Sequence, residues 1–540
     1  VPKVLIVGAG PTGLTLACEL ARHGVASRLI DRRAVHVDRT RAADVQPRTL
    51  EIFHDLGIAD GVMARGRPIT AMTIYDSPKR LARLAYAADG SRYPFAVALP
   101  QTETEEILEQ RLRELGGEVE RGVRLRTLAQ TGDKVTVTMT GPDGDSEAAD
   151  YDWVVGCDGA ASTVRHELDI EFDARGNNRG FVTCDVTTDL NLPSGDISLF
   201  LSEHGYLMVL PLPPDHRVRL IADTEPPTAR PDSIAALEAL AEKQLGASVV
   251  FRDTGMVATY HVQHRLASAF QIGRVFLAGD AAHTFNPVGG HGMNQGVQDA
   301  HNLGWKLALV VRGIASPELL GTYASERRNA ARIFTREMDF TARLKLSYLA
   351  AESEEYDRLM DFAVMAPPLR RSVLDAALQP QNSYRTGAFV RDVVASGFES
   401  PSGVTAGTRA PDVSFGDHGR LHDLLRGPEH TLLLFGGAKA SPSAAPAPPS
   451  LVGLANEVQK GWPELVKVYV VVTGDGPVDG WPGEAVRDAS GTLHSRYGAD
   501  LPCGYLVRPD GHIGFRCLPL SAGALRDHLT TIFTPGFAAP

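Results

Sequence analysis

The stretch KVLIVGAGPTGLTLACELARHGVASRLIDRR, residues 3–33, constrains the fold of this chain more than any other. It opens with a short, continuous apolar run, as suits a strand buried on both faces. Gly8-x-Gly10-x-x-Gly13 follows at once, then a helical period with Leu14, Ala17, Cys18 and Ala21 on one face, ended by Gly24. VASRLID supplies a second strand. A βαβ unit of about 30 residues calls for a parallel sheet. Within it Gly8 permits the tight turn, Gly10 lets a pyrophosphate approach the backbone, and Gly13 lets helix and strand pack closely. Pro11 and Thr12 open the helix, whose free N–H groups and partial positive charge suit a phosphate. Asp31 ends the second strand, with Arg32 beside it, where a carboxylate accepts hydrogen bonds from a ribose. That acid implies a free 2′-hydroxyl, hence FAD or NAD rather than NADP. A turn that merely needs small residues would not require the strand, the helix and the acid together.

The 540 residues suggest about two to four domains. The net charge of −11 leaves no basic surplus for nucleic acid. Cys18, Cys157, Cys184, Cys503 and Cys517 form no CxxC pair, so neither a metal site nor a disulfide scaffold is expected, and a reducing cytoplasm fits. No apolar run reaches the roughly 18 residues that would span a bilayer, so no membrane partner is expected. The opening VPKVLIVGAG lacks the features of a secretion signal.

Along the chain, residues 1–175 read as the first part of a nucleotide-binding domain, with an excursion into a substrate domain near 68–100. QTETEEILEQRLRELGG has a helical period; VTVTMT and DWVVGCDG read as strands. Residues 176–265 alternate strand and turn signals and suit a mostly antiparallel sheet. Residues 266–400 return to the first domain and continue as a long helical region to about 380. SGFESPSGVTAGTRAPD reads as a linker and AKASPSAAPAPPS, from 438, as an exposed loop. Residues 405–540 read as a separate small α/β domain. No fixed-period repeat is present.

A second glycine-rich stretch, GRVFLAGDAAHTFNPVGGHGMNQGVQDAHNLGWKLA, places a strand before Gly279-Asp280, a tight turn, then a helix. Together with GxGxxG and DWVVGCDGAASTVRHEL, with its Asp158-Gly159, it carries a resemblance to the flavoprotein aromatic hydroxylases, the single-component class A FAD monooxygenases. The resemblance covers roughly residues 1–340. RYPFAVALPQTETEEIL resembles the branch acting on small or halogenated phenols; polyketide-tailoring hydroxylases share most of the motifs.

The resemblance implies a Rossmann-like α/β FAD-binding domain under an antiparallel substrate sheet. Asp280 is expected to accept from the ribityl chain. Pro287, Gly290 and Gly292 are expected to lie against the flavin ring, and the helix beginning near Met293 and Asn294 to aim its positive end at it. Gln101 matches a flavin-contacting glutamine, Arg41 and Arg48 match arginines near the pyrophosphate and ring, and Leu125 a backbone contact to adenine. Asp158, Gly159 and Arg165 belong to a motif serving FAD and NADPH, though polar residues of this kind also simply stabilise loops. Many relatives have glycine where this chain has Asp44. A carboxylate there could orient substrate or accept its proton, or could point to solvent, the more common outcome. His291 could relay a proton or be a packing or surface residue. Phe200, Tyr206, Met208 and Leu210, with Pro287, are the candidate substrate contacts, although apolar residues at period two are first a core face.

No second GxGxxG follows a strand, which fits a family in which NADPH, or NADH, docks transiently. The implied reaction is hydride transfer to the flavin, formation of a flavin C4a-hydroperoxide from O2, and hydroxylation of a phenolic ring. The alternative is oxygenation of a polyketide or antibiotic by hydroxylation, epoxidation or Baeyer–Villiger insertion. No G-x-S-x-G elbow of a hydrolase is found. The last domain resembles the thioredoxin-like domain that ends many such hydroxylases, through AGTRAPDVSFGDHGRLHDLL and YLVRPDGHIGFR, without CxxC. It is expected to be structural, with a homodimer interface as one role.

Overall fold

The computed structural model describes residues 2–35, 42–76, 79–86, 90–202, 205–224, 233–255, 257–285, 290–349, 383–385, 387–396, 404–415, 419–438, 449–474 and 476–534. Arg41, Pro287 and most of the proline-rich stretch from 438 lie outside them.

The opening stretch forms strand Val4–Val7, helix Pro11–Arg22 and strand Ser27–Asp31. Val4–Val7 pairs in parallel with Ser27–Asp31 on one side and Trp153–Gly156 on the other. Val119–Arg121 and Val275–Leu277 extend this sheet outward, and Gln271–Ile272 closes it antiparallel. Strands Val4–Val7, Trp153–Gly156 and Val275–Leu277 are buried throughout, which is why they read as unbroken apolar runs. Helix Pro11–Arg22 packs along helix His291–Val311, and at their crossing a Cβ on Gly304 would lie 2.5 Å from that of Glu19.

A second sheet, mostly antiparallel, contains Phe172–Thr188, Asp196–Ser202, Gly205–Pro211, Arg217–Thr224 and Ala258–Ala267, together with Ala71–Asp76 and Lys79–Ala85 from early in the chain. A small sheet of Asp44–Val45, Ala96–Ala98 and Arg67–Ile69 lies between the two large ones in chain connectivity. The two faces of the second sheet bury different clusters. Ile197, Leu199, Leu201, Tyr206, Met208 and Leu210 pack with Ala43 and Ala98. Phe200, Leu207 and Val209 pack with helix Ile234–Leu245.

The C-terminal sheet runs Arg391–Val394, Ile513–Leu518, Cys503–Val507, His430–Phe435, Val466–Val472 and Ala485–Arg487. Arg391–Val394 pairs in parallel with Phe515–Leu518, so this domain begins before residue 400. The boundary placed at 400–405 from composition is thereby corrected: a four-residue edge strand carries too little periodicity to stand out beside a linker-like stretch. The five cysteines are all buried thiols. Among the described residues no helix is long and apolar enough to cross a membrane.

Candidate cofactor and substrate site

The first turn is built around close backbone approaches. Gly8 has φ +107°, and a Cβ there would lie 2.4 Å from the carbonyl oxygen of Cys157; a Cβ on Gly13 would lie 1.9 Å from that of Gly8. In front of Gly10, by contrast, an added Cβ meets nothing within 4 Å. Helix Pro11–Arg22 has no side-chain cap, so its first N–H groups face that open space. The carboxylate of Asp31 accepts from the N–H of Ala9 and of Arg33, both at 2.8 Å, and each oxygen keeps a further lone pair for a ribose hydroxyl. Arg32 is exposed beside it. An uncapped helix end, open space at one glycine and an acid at the neighbouring strand end fit a dinucleotide. Gly13→Ala should therefore strain this turn by about 1–3 kcal/mol. FAD Kd should rise roughly ten- to a hundredfold, at ~1.4 kcal/mol per factor of ten. Titration of apoprotein with FAD checks this, and an unchanged Kd would remove the turn from the cofactor site.

Gly279 and Asp280 stand in a single helical turn after strand Val275–Leu277. A Cβ on Gly292 would lie 3.7 Å from Asp280 Oδ1, so the acid faces the start of helix His291–Val311. That helix too has no side-chain cap, and its cap residue Gly290 has φ +66°. Met293 is buried at its first turn. Gln101 opens helix Gln101–Glu114 and clasps Ala42: its N–H donates to the Ala42 carbonyl at 3.2 Å and its Oε1 accepts from the Ala42 N–H at 3.4 Å. Leu125 buries its side chain in the core, two residues after Val123, whose N–H donates to the Asp31 carbonyl.

Asp44 is buried rather than pointing to solvent. A Cβ on Gly290 would fall 1.7 Å from its Oδ1, so the carboxyl lies directly against the cap of the helix. Burial pushes it up to about 7; the Gln46 amide, 3.5 Å away, and the Arg219 guanidinium act in the opposite direction. Arg219 is itself buried in the second sheet, where it donates to both oxygens of Asp185 and, at 2.9 Å, to the Ala42 carbonyl. The half-buried Tyr86 hydroxyl is held high first by burial and next by the charges of Asp44 and Asp196. A carboxyl that titrates near neutrality beside an apolar wall is equipped to accept a proton.

Several expectations change. Arg48 donates to Glu51 at 3.0 Å and to the Asp510 carbonyl of the C-terminal domain at 2.6 Å. The Asn294 amide is consumed in tying strand to helix, donating to the carbonyls of Asp44 (3.0 Å) and Gly290 (2.7 Å) while accepting from the Gln46 N–H. His291 is buried. Its ring meets Phe334 edge-on at 4.6 Å, its Nδ1 lies 3.2 Å from the Gln46 amide, and burial lowers it to about 3, so it stays neutral. Asp158 caps helix Thr163–Glu167 through Ser162, Thr163 and Val164, and Arg165 holds the carbonyls of Ala160 and Ala281. Gly159, at φ +84°, remains open to an added Cβ. Phe200 points to the sheet face away from Ala43, leaving Tyr206, Met208 and Leu210 on the near side.

Gln46, Arg219 and Asp299 were not singled out in the sequence. Arg219 carried a faint signal, a basic residue in the apolar strand RVRLIAD. Asp299 lies in a helix whose polar residues Gln295, Gln298, Asp299, Asn302 and Lys306 are all buried, a pattern that marks internal polar networks.

A parallel sheet with an open glycine turn, and a Gly-Asp turn facing an uncapped helix, define a nucleotide-cofactor oxidoreductase of the flavoprotein type. The family model described as FAD binding domain matches residues 2–338. The chain is 34% identical over 532 residues to a 6-methylpretetramide 4-monooxygenase of Streptomyces rimosus, covering 95% of this chain and 90% of that one. It is 30% identical over 525 residues to a pentachlorophenol 4-monooxygenase of Sphingobium chlorophenolicum, covering 95% and 93%. A ternary complex of aklavinone-11 hydroxylase with FAD and aklavinone superposes with a TM-score of 0.74 at 27% identity, covering 98% of each chain. The chain belongs to this family of FAD-dependent aromatic monooxygenases.

Proposed function

We propose that the protein hydroxylates a phenolic ring of a polycyclic aromatic substrate, with FAD as resident cofactor, NADPH or NADH as reductant and O2 as oxidant. The observation that carries this reading is the buried Asp44 carboxyl, pressed against the helix cap at Gly290, with the preceding residue Ala43 packed in the apolar cluster of Tyr206, Met208 and Leu210. The polycyclic class is supported by likeness along nearly the whole chain to a 6-methylpretetramide monooxygenase and to an aklavinone hydroxylase. A simple phenol is the second reading, supported by the likeness to a pentachlorophenol monooxygenase.

Gly8, Gly10 and Gly13 with the N–H groups of helix Pro11–Arg22 would hold the pyrophosphate, Asp31 a ribose, and Asp280 with the start of helix His291–Val311 the flavin end. Bound FAD would supply the electrons and the oxygen activation. Asp44 would accept the phenolic proton, raising electron density on the ring where oxygen is to be added. Arg219 and Asn294 hold the strand that carries Asp44. The apolar wall excludes water from the ring. The C-terminal domain is read as thioredoxin-like and structural, without a redox pair.

Anaerobic reduction of the FAD-loaded protein by NADPH, followed through the flavin absorbance with a panel of phenols and aromatic polyketides, tests the reading. One polycyclic phenol should accelerate reduction many-fold and be recovered in air with one added oxygen. Oxidation of NADPH to peroxide at the same rate with every compound would point instead to an ungated oxidase.

A further inference from the structure

The Gly279–Asp280 turn is held from behind. Asp299, fully buried on helix His291–Val311, accepts from the Gly279 N–H at 2.9 Å and lies 2.6 Å from His283 Nε2 through the same oxygen. Its other oxygen accepts from Arg327 Nε at 2.6 Å. Burial pushes the carboxyl up, but His283 and Arg327 more than offset this and keep it ionised. Arg327 also donates to Gln295 Oε1 at 2.6 Å and, through its remaining nitrogen, to the Tyr384 hydroxyl at 3.1 Å. A second tie comes from the same helix as Arg327: the Tyr323 hydroxyl donates at 2.6 Å to the carbonyl of Leu277, two residues before Gly279.

Tyr384 packs on the C-terminal domain. Its N–H donates to the Gly407 carbonyl at 2.8 Å, and its ring packs on His512 at 4.2 Å. The His512 N–H donates to Asp510 at 3.3 Å, and Asp510 with Arg508 closes onto Glu326, one residue before Arg327. Each group in this series is buried, so no water can replace a lost partner without opening the interface.

We infer that the C-terminal domain positions the flavin turn through Tyr384 and Arg327, making flavin affinity a property of the contact between domains. The inference rests on the reading of Gly279–Asp280 as a flavin contact. Tyr384 and Arg327 are positioning residues: they act on the turn through Asp299. With the hydroxyl present, each nitrogen of Arg327 has an acceptor and Asp299 is held between Arg327, His283 and the Gly279 N–H. Without it, a buried guanidinium N–H is left to seek Asp299 or Gln295, and the Gly279 N–H loses its fixed acceptor.

The test is Tyr384→Phe in the full chain, which keeps the ring on His512. Measurements are FAD Kd on apoprotein, the visible spectrum and midpoint potential of the bound flavin, and the Tm of the apoprotein. FAD Kd should rise about fivefold or more, within the usual span of coupling between sites. The flavin spectrum should shift, and the apoprotein Tm should change by no more than in a control. The control is Tyr497→Phe, whose hydroxyl donates to the Pro411 carbonyl at 3.2 Å within the C-terminal domain. Arg327→Lys, which keeps the charge but not the fork, should weaken FAD further and gives the same readout if Tyr384→Phe does not fold. The inference is overturned if Tyr384→Phe binds FAD as tightly as the parent with an unaltered spectrum. It is equally overturned if Tyr497→Phe weakens FAD as much. Failure of the parent protein itself to bind FAD would instead remove the underlying reading of the turn.

Discussion

Replacing Asp44 with asparagine should lower kcat/KM for substrate hydroxylation by about 10²–10⁴-fold, the span of a positioned general base. It should also abolish an inflection near pH 7 and leave the fold more stable at pH 8 than the parent. The carboxyl is raised to about 7 by burial, so the parent's rate should climb as pH rises through that value and level off above it. Stability runs the other way. In the unfolded chain Asp44 releases its proton near its ordinary value of about 4. In the fold it keeps that proton to about 7, so its favourable contribution is present below pH 4 and is lost as pH rises to 7. Asparagine carries no such loss. A drop in activity with a rise in Tm at pH 8 separates the loss of a base from damage to the site, since damage would lower both. An unchanged pH–rate profile would take Asp44 out of the chemistry, and Arg219, Gln46 and Gly290 would then serve only to bury it.

The second large effect concerns the seam between the domains. Glu326→Ala should cost about 3–5 kcal/mol of stability, the usual result of breaking a buried ion pair from one side. Glu326 accepts from Arg508 through both oxygens, at 2.7 and 2.9 Å, and from Lys306 at 2.7 Å and Asn302 at 2.8 Å. Asp510 completes the set, accepting from Arg508, Asn302 and Trp305. Two cations and two anions are thus sealed together with balanced charge. Alanine at 326 leaves Arg508 and Lys306 facing Asp510 alone, with one buried positive charge uncompensated. Urea midpoints of parent and variant measure the loss, and a change under about 1 kcal/mol would mean that water reaches the seam. The pH limb has a definite sign. Burial pushes the Glu326 carboxyl up, but Arg508 and Lys306 more than offset it and hold it at about 2. Its contribution is therefore full above the ordinary carboxylate range and is lost as pH falls toward 2, and the variant should lack that part of the acid limb.

The elements legible in the sequence are those whose physics is local. The spacing of Gly8, Gly10 and Gly13 and the place of Asp31 at the end of the next strand make the nucleotide turn legible, although the close approach of the Cys157 carbonyl to Gly8 comes from a strand far along the chain. Gly279-Asp280 ahead of a helix is legible as a strand–turn–helix, and its expected role comes from the resemblance. The alternation within residues 176–265 suited a mostly antiparallel sheet, yet showed neither that both its faces are buried nor which side chains share a face; Phe200 and Tyr206 lie in different clusters.

What only the tertiary structure decided is every role that depends on a partner far along the chain. Asp44 is buried because a helix cap 246 positions later closes over it and Asn294 ties down its strand. Arg48, a cofactor candidate by resemblance, donates to a carbonyl 462 residues away. Neither outcome is written in a period or a motif. A side chain's charge state and direction are set by the dielectric and the acceptors around it, and those exist only once distant segments have packed.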